Sequence, residues 1–186
     1  MKVIGIVGSP RPEGNTATLV EQVLKGAEQA GAQTAVFHVN KMNIRGCQGC
    51  YKCKKQGSCA VQDDMAVLYE QIDSADAVVF GSPVYMWQMT AQLKTVIDRL
   101  FAYMQPDYTF PGLKGKKAAL VFAQGQPNPD MFAPYIQQIA SLLRFMQFNV
   151  AEPLIAPGTT TAGSIKENTT VMQTALELGK KLAGAQ

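Results

Sequence analysis

The chain's four cysteines, Cys47, Cys50, Cys53 and Cys59, fall within thirteen residues in the pattern C-x2-C-x2-C-x5-C. Thiols so crowded, in a reducing compartment, point to a metal or redox role before a disulfide framework. A C-x2-C-x2-C run lets one short loop wrap three corners of a cubane, which suits a [4Fe-4S] cluster. With no other cysteine in the chain, Cys59 would close the same site, and a single cluster is expected. Gly46, Gly49 and Gly57 permit tight turns around the sulfurs. Arg45, Lys52, Lys54 and Lys55 would offset a cluster's negative charge and dock an acidic electron carrier, although a solvated lysine-rich loop is an equal reading. Two alternatives stay open: structural zinc, which usually pairs two knuckles across a longer interval, and free or redox-active thiols without a metal.

A second group of residues suits an anion. Gly8-Ser9-Pro10-Arg11-Pro12-Glu13-Gly14-Asn15-Thr16 reads as the turn between a strand and a helix. Ser9, Asn15 and Thr16 bring polar side chains, Gly8 and Gly14 allow close backbone approach, and Arg11 adds a forked cation. The amides of Thr16 and Ala17 open the helix and carry the positive end of its dipole. The plain alternative is an ordinary turn capped by Asn15 or Thr16. Neither G-x-G-x-x-G nor G-x-x-x-x-G-K-[ST] is present, so a resident dinucleotide is disfavoured and a monophosphate fits better.

Further along, Pro83 fixes the chain after a strand. The amides of Val84 and Tyr85 are then expected to face a ligand's polar edge while Tyr85, Met86 or Trp87 covers its face. Trp87, the only tryptophan, reads equally as a core or interface residue. Gln124 and Gly125 complete the candidate set. His38 is the only histidine, which excludes a histidine-based triad, and no side chain is assigned a catalytic role.

These residues need elements to position them. Lys2 to Val7 reads as a buried strand, and Val20, Val23, Leu24 and Ala27 mark one face of a helix ending near Gly31. Thr34 to Val39 is a second strand. Residues 41 to 62 have neither period and read as a surface insertion. Asp63 or Asp64 caps a helix through Met65, Leu68 and Ile72, and Ala77 to Phe80 is a third strand followed by a loop, Gly81 to Gln88. Leu93, Val96, Ile97, Leu100 and Phe101 form a helical stripe with Lys94, Asp98 and Arg99 on its polar face. Ala118 to Phe122 is a fourth strand, leading through the loop Gln124 to Asp130 to a helix with Ile136, Ile139, Ala140 and Leu143. Phe148 to Ile155 is a fifth strand made irregular by Pro153, Pro157 to Ser164 is a polar loop without assigned purpose, and Thr169 to Leu182 is a closing helix. The alternation predicts one α/β domain over residues 1–186: a doubly wound five-stranded parallel sheet in the order 2-1-3-4-5, with helices on both faces and the cysteine-rich insertion after strand two. A ligand would then sit outside the carboxyl ends of strands one and three, among loops 8–16, 81–88 and 123–130.

The motifs Gly8-Ser9-Pro10-Arg11 to Gly14-Asn15-Thr16, Ser82-Pro83-Val84-Tyr85, Leu93-Lys94 and Ile97-Asp98-Arg99 resemble the NADPH-dependent FMN reductase superfamily, of flavodoxin-like fold. The four cysteines followed by Asp63-Asp64-Met65 narrow the resemblance to the iron-sulfur flavoproteins. It implies FMN, with Ser9, Arg11, Asn15 and Thr16 on its phosphate and Pro83, Val84 and Tyr85 along the isoalloxazine. It implies an FMN-dependent oxidoreductase exchanging electrons with a [4Fe-4S] cluster, which oxygen can remove, and with ferredoxin, NAD(P)H, a quinone or an oxygen species. It also implies a homodimer or homotetramer. The alternatives are an NAD(P)H-dependent FMN or quinone reductase whose cysteines are incidental, and a flavodoxin-like carrier with a zinc-stapled loop.

Composition excludes other classes. At 47% hydrophobic and 17% charged the chain is globular. The net charge of +3 comes without any face-wide basic run, so nucleic acid is not an expected partner. No apolar run approaches the roughly 20 residues of a membrane span, and Met1 to Pro10 does not read as a secretory signal. The expected location is the cytoplasm.

Overall fold

The computed structural model describes residues 1–184. Six strands, β1 (Lys2–Val7), β2 (Gln33–His38), β3 (Ala77–Pro83), β4 (Lys117–Ala123), β5 (Asn149–Val150) and β6 (Leu154–Ala156), form one sheet. Its order is β2-β1-β3-β4-β5, with β6 also paired to β4, and every ladder is parallel. This is the expected flavodoxin-like order.

Successive residues of the central strands face opposite layers, as the pleat requires. Ile4, Ile6, Val78, Phe80, Leu120 and Phe122 pack with α3 (Met65–Ser74), α4 (Ala91–Arg99) and α5 (Ala133–Phe145). Val3, Val7, Val79, Ala119 and Val121 pack with α1 (Asn15–Gln29) and α6 (Thr169–Ala183). Both faces are covered, so these strands are apolar at nearly every position.

Four expectations are corrected. The fifth strand is two short strands: after Ala151 N–H donates to Ala118 C=O, Glu152 and Pro153 leave the ladder, where proline has no N–H to give. The loop expected from Gly81 starts later, since β3 stays paired with β4 through Pro83. The cysteine insertion contains a single helical turn, α2 (Lys52–Gln56), entered through Tyr51 and left through Gly57, both at left-handed φ. Finally, Arg99 does not lie on a solvated face: its side chain is 1% exposed. Among the described residues no helix is long and apolar enough to cross a membrane.

Candidate functional site

The carboxyl ends of β1, β3 and β4 are tied together by main-chain hydrogen bonds. Gly8 N–H donates to Gly81 C=O at 2.8 Å, and Val84 N–H to Ala123 C=O at 2.8 Å. Around this seam the first loop forms a nest. Ser9 Oγ accepts from Arg11 N–H at 3.2 Å, and Gly14 N–H donates to Arg11 C=O at 3.1 Å. Arg11 itself lies exposed at the rim. α1 begins directly afterwards with Gly14 at its N-cap, which has no side chain to cap with. The first bond of the helix runs from Thr18 N–H to Gly14 C=O, so the amides of Asn15, Thr16 and Ala17 have no acceptor within it. An anion there would meet three N–H donors and the positive end of a fifteen-residue helix.

The Asn15 side chain does different work from that expected. Its amide donates to Thr161 C=O at 2.8 Å and Thr159 C=O at 3.4 Å, and its oxygen accepts from Ile165 N–H at 3.1 Å. Asn15 therefore pins the 157–165 segment against the start of α1 and has only its main-chain N–H left for an anion. This gives the polar loop a role that its sequence concealed. Thr159 donates from both N–H and Oγ1 to Gln124 C=O, at 2.9 and 3.1 Å.

At the second loop the structure also revises which amides are free. Val84 N–H is taken by Ala123, and Tyr85 N–H donates to Gln88 C=O at 2.8 Å while Gln88 N–H returns the bond at 3.0 Å. Met86 and Trp87 form the tip of this tight turn, at φ of 43° and 71°. Left-handed backbone at two bulky residues is uncommon and strained. Their N–H groups take no part in the Tyr85–Gln88 pair, whereas those of Val84 and Tyr85 are already claimed. Met86 is 92% exposed, and Trp87 stands edge-on to Phe132 with ring centroids 5.5 Å apart.

Gln124 is 1% exposed. Its side-chain NH2 donates to Gln126 C=O at 3.1 Å and Asn128 C=O at 2.8 Å, which fixes the amide's orientation, while Oε1 is buried without a partner. A buried acceptor left unpaired is costly, so a donor from a ligand would be favoured there.

Thr90, absent from the expected set, joins the first two loops. Its Oγ1 donates to Gly8 C=O at 2.8 Å and accepts from Leu93 N–H at 3.3 Å, and its N–H donates to Ser82 Oγ at 2.9 Å. Thr90→Ala is expected to cost about 1–2 kcal/mol by removing a helix cap and a buried bond together, whereas Thr90→Ser retains most of it. Urea unfolding of the two variants checks this.

The cysteine segment stands on two feet. Arg99 Nη1 and Nη2 reach Asp63 Oδ2 and Oδ1 at 2.8 and 3.1 Å, and both side chains are 1% exposed. Nη1 also donates to Arg45 C=O and Nη2 to Val61 C=O, at 2.7 and 3.3 Å. Asp63 accepts from Arg45 N–H and Met65 N–H, and Asp64 from Asn43 N–H. Asp64 holds the N-cap position of α3 without a side-chain cap bond, while Asp63, one residue before it, accepts from Met65 N–H and has Arg99 as its main partner. Above the feet, Lys54 Nζ donates to Phe101 C=O and Met104 C=O and sits 4.0 Å over the Phe101 ring. Lys54 is therefore a strut, and it leaves the basic rim proposed for docking.

Burial raises the Asp63 pKa, but the hydrogen bond from Arg99 and the amides of Arg45 and Met65 outweigh it and hold the carboxyl below its ordinary value of 3.8. A depressed carboxyl stabilises above its unfolded pKa and ceases to as pH falls through the folded one. The feet are expected to hold from neutrality down to about pH 4 and to loosen below it, seen as acid-dependent proteolysis within 46–62 that Asp63→Asn abolishes as a pH effect.

Among the described residues no three His, Cys, Asp or Glu side chains gather into a metal-holding group. Cys47 faces one cavity, with Tyr51, Phe101 and Phe110, and Cys59 another, with Tyr69 and Tyr103. In this conformation the four thiols do not fit a cluster.

A family model described as NADPH-dependent FMN reductase matches residues 1–156. An iron-sulfur flavoprotein of Archaeoglobus fulgidus is 33% identical over 187 residues, covering 100% of this chain and 80% of its own. One from Methanocaldococcus jannaschii is 34% identical over 190 residues, covering 98% and 96%. A solved NAD(P)H:quinone oxidoreductase from Methanothermobacter marburgensis shares the fold, with a TM-score of 0.76 over 100% of this chain and 98% of that one at 18% identity. Fold and site thus define an FMN-dependent oxidoreductase of flavodoxin-like architecture, and the open amides of α1 and the orphaned Gln124 Oε1 suit that cofactor. The chain belongs to the iron-sulfur flavoprotein family within the NADPH-dependent FMN reductase superfamily.

Proposed function

We propose that this protein binds FMN at the start of α1, accepts electrons from NAD(P)H or a ferredoxin, and delivers them to a quinone, an oxygen species or a protein acceptor. The observation that carries the reading is the set of three unclaimed amides, Asn15 to Ala17, beside the strained Met86–Trp87 turn. Ser9, Arg11, Gly14 and Thr16 complete the phosphate cradle. Pro83, Val84 and Tyr85 set the wall that Met86 and Trp87 extend, and Gln124 and Gly125 close the far side. FMN, when bound, supplies hydride acceptance and single-electron release. The chain's own contribution is to hold the phosphate, orient the ring and aim main-chain donors at its polar edge, which sets the flavin's potential.

In the same reading the cysteine segment is a second redox element. The spacing and the relatives' name support a [4Fe-4S] cluster on Cys47, Cys50, Cys53 and Cys59, and its assembly requires the exposed loop to bring the sulfurs together. Arg45, Lys52 and Lys55, all exposed, are the cations left to meet an acidic carrier. The reading places the protein in the cytoplasm as a dimer or tetramer.

The test is reconstitution under anaerobic conditions, with flavin, iron and sulfide assays, followed by NAD(P)H or reduced ferredoxin. Bleaching of bound FMN by either donor supports the reading, and the faster one names the donor. Protein that takes up no FMN overturns it. Bound flavin with iron and sulfide absent removes the cluster and leaves the plain reductase.

A further inference from the structure

We infer that Arg99 and Asp63 form a positioning clasp which, through α4, fixes the cysteine segment relative to the FMN loops. The inference rests on the reading that FMN sits at the start of α1 and that the cysteine segment is a redox element.

The two ends of α4 reach different parts of that machinery. At its first turn, Thr90 Oγ1 holds Gly8 C=O, and Thr90 N–H holds Ser82 Oγ. The helix therefore starts on both cofactor loops. Nine residues later, roughly 13 Å along the axis, Arg99 ends the same helix with four hydrogen bonds to the two feet of the insertion. The feet, at Arg45 and Val61 to Asp63, bracket all four cysteines. Beyond the clasp, the 3-10 turn that continues α4 (Leu100–Tyr103) supplies Phe101 and its carbonyl to Lys54, one residue from Cys53. The loop that carries the thiols is thus fastened to the body at the carboxyl end of the helix whose amino end is fastened to the FMN loops.

Chemistry explains the choice of side chains. Arg99 presents a planar fork that meets a carboxylate in two parallel bonds and still donates to two carbonyls, which a lysine cannot do. A buried ion pair gives little net stability compared with apolar residues of the same size, so its use here suits geometric definition better than cohesion. The distance of the thiols from the cofactor loops, and their access to solvent, both depend on where the base of the segment is held. A loop of exposed residues and left-handed glycines would leave that separation undefined unless its base were clasped.

The test uses the full chain loaded with FMN. Arg99→Lys and Asp63→Asn are expected to raise the alkylation rates of half-buried Cys53 and Cys59 by on the order of tenfold, read site by site by mass spectrometry. FMN affinity should stay within about twofold, because neither residue contacts the cofactor loops. In a Cys47-only background, energy transfer from bound FMN to a maleimide acceptor should show a broadened distance distribution in Arg99→Lys. A role in cohesion alone would leave that distribution narrow in any folded variant. Should either clasp variant fail to fold, Asp64→Ala, which frees only the exposed Asn43 N–H, is expected to give a smaller rise in the same alkylation rates. Unchanged alkylation, or FMN affinity falling in step with it, overturns the inference. Failure of the parent protein to bind FMN would instead remove the functional reading, with the alkylation arm still reporting on the clasp.

Discussion

Gly179→Ala is expected to destabilise the protein by about 3 kcal/mol or more, lowering its melting temperature by roughly 10 °C. A Cβ built on Gly179 would lie 1.8 Å from Val23 C=O oxygen and 2.8 Å from Ala27 nitrogen. The mirror position, Gly26, would place its Cβ 1.9 Å from Leu176 C=O oxygen. α1 and α6 meet through these two glycines, and the atoms in the way are main chain, which cannot rotate aside as a side chain would. The helices must separate, losing contacts of Val23, Ala27, Ala175 and Leu182. Since the start of α1 carries the open amides, FMN affinity should fall with stability. Thermal unfolding with and without FMN measures both, and a melting temperature within 2 °C of the parent would refute the packing argument.

Gly8→Ala is expected to weaken FMN binding by at least about tenfold while costing about 1–3 kcal/mol of stability. Its Cβ would stand 2.5 Å from Leu93 Cβ, 2.9 Å from Thr90 Oγ1 and 3.3 Å from Gly81 C=O oxygen. Leu93 Cβ is fixed to the helix backbone, so relief requires α4 to move away from the end of β1. That movement breaks the Thr90–Gly8 bond and spreads the first two loops, between which the proposed FMN site lies. Titration of apo-protein by flavin fluorescence quenching, with urea unfolding alongside, separates the two effects. Thr90→Ala loses the same hydrogen bond without the steric push and should show a smaller change in affinity, which makes the pair a direct comparison.

Which parts of this were legible in the sequence follows from the range of the forces involved. The strands from Lys2, Ala77 and Ala118 are buried on both faces, and such burial writes itself into residue type at every position. The stripes of α1, α4 and α5 did the same at helical spacing. Turn chemistry was equally local, and Gly8 to Thr16 announced a loop leading into a helix. Pro153 predicted an irregular strand, and the sheet broke there.

Where the sequence misled, the deciding partner was distant. Arg99 sits at a position that α4's own pattern marks as polar, and only Asp63, thirty-six residues away, turns it into a buried group. Asn15 looked like an anion ligand because of its neighbours, yet its carboxamide is claimed from 144 to 150 residues further on. Val84 and Tyr85 lost their free amides to Ala123 and Gln88, a matter of strand register and turn type.

Sequence alone thus determined the class of this protein, because alternating apolar runs with a glycine-bearing first turn admit few topologies. Tertiary structure decided which atoms are free to act. A donor or acceptor is available only when no other part of the chain has claimed it, and that is settled by contacts across the whole fold.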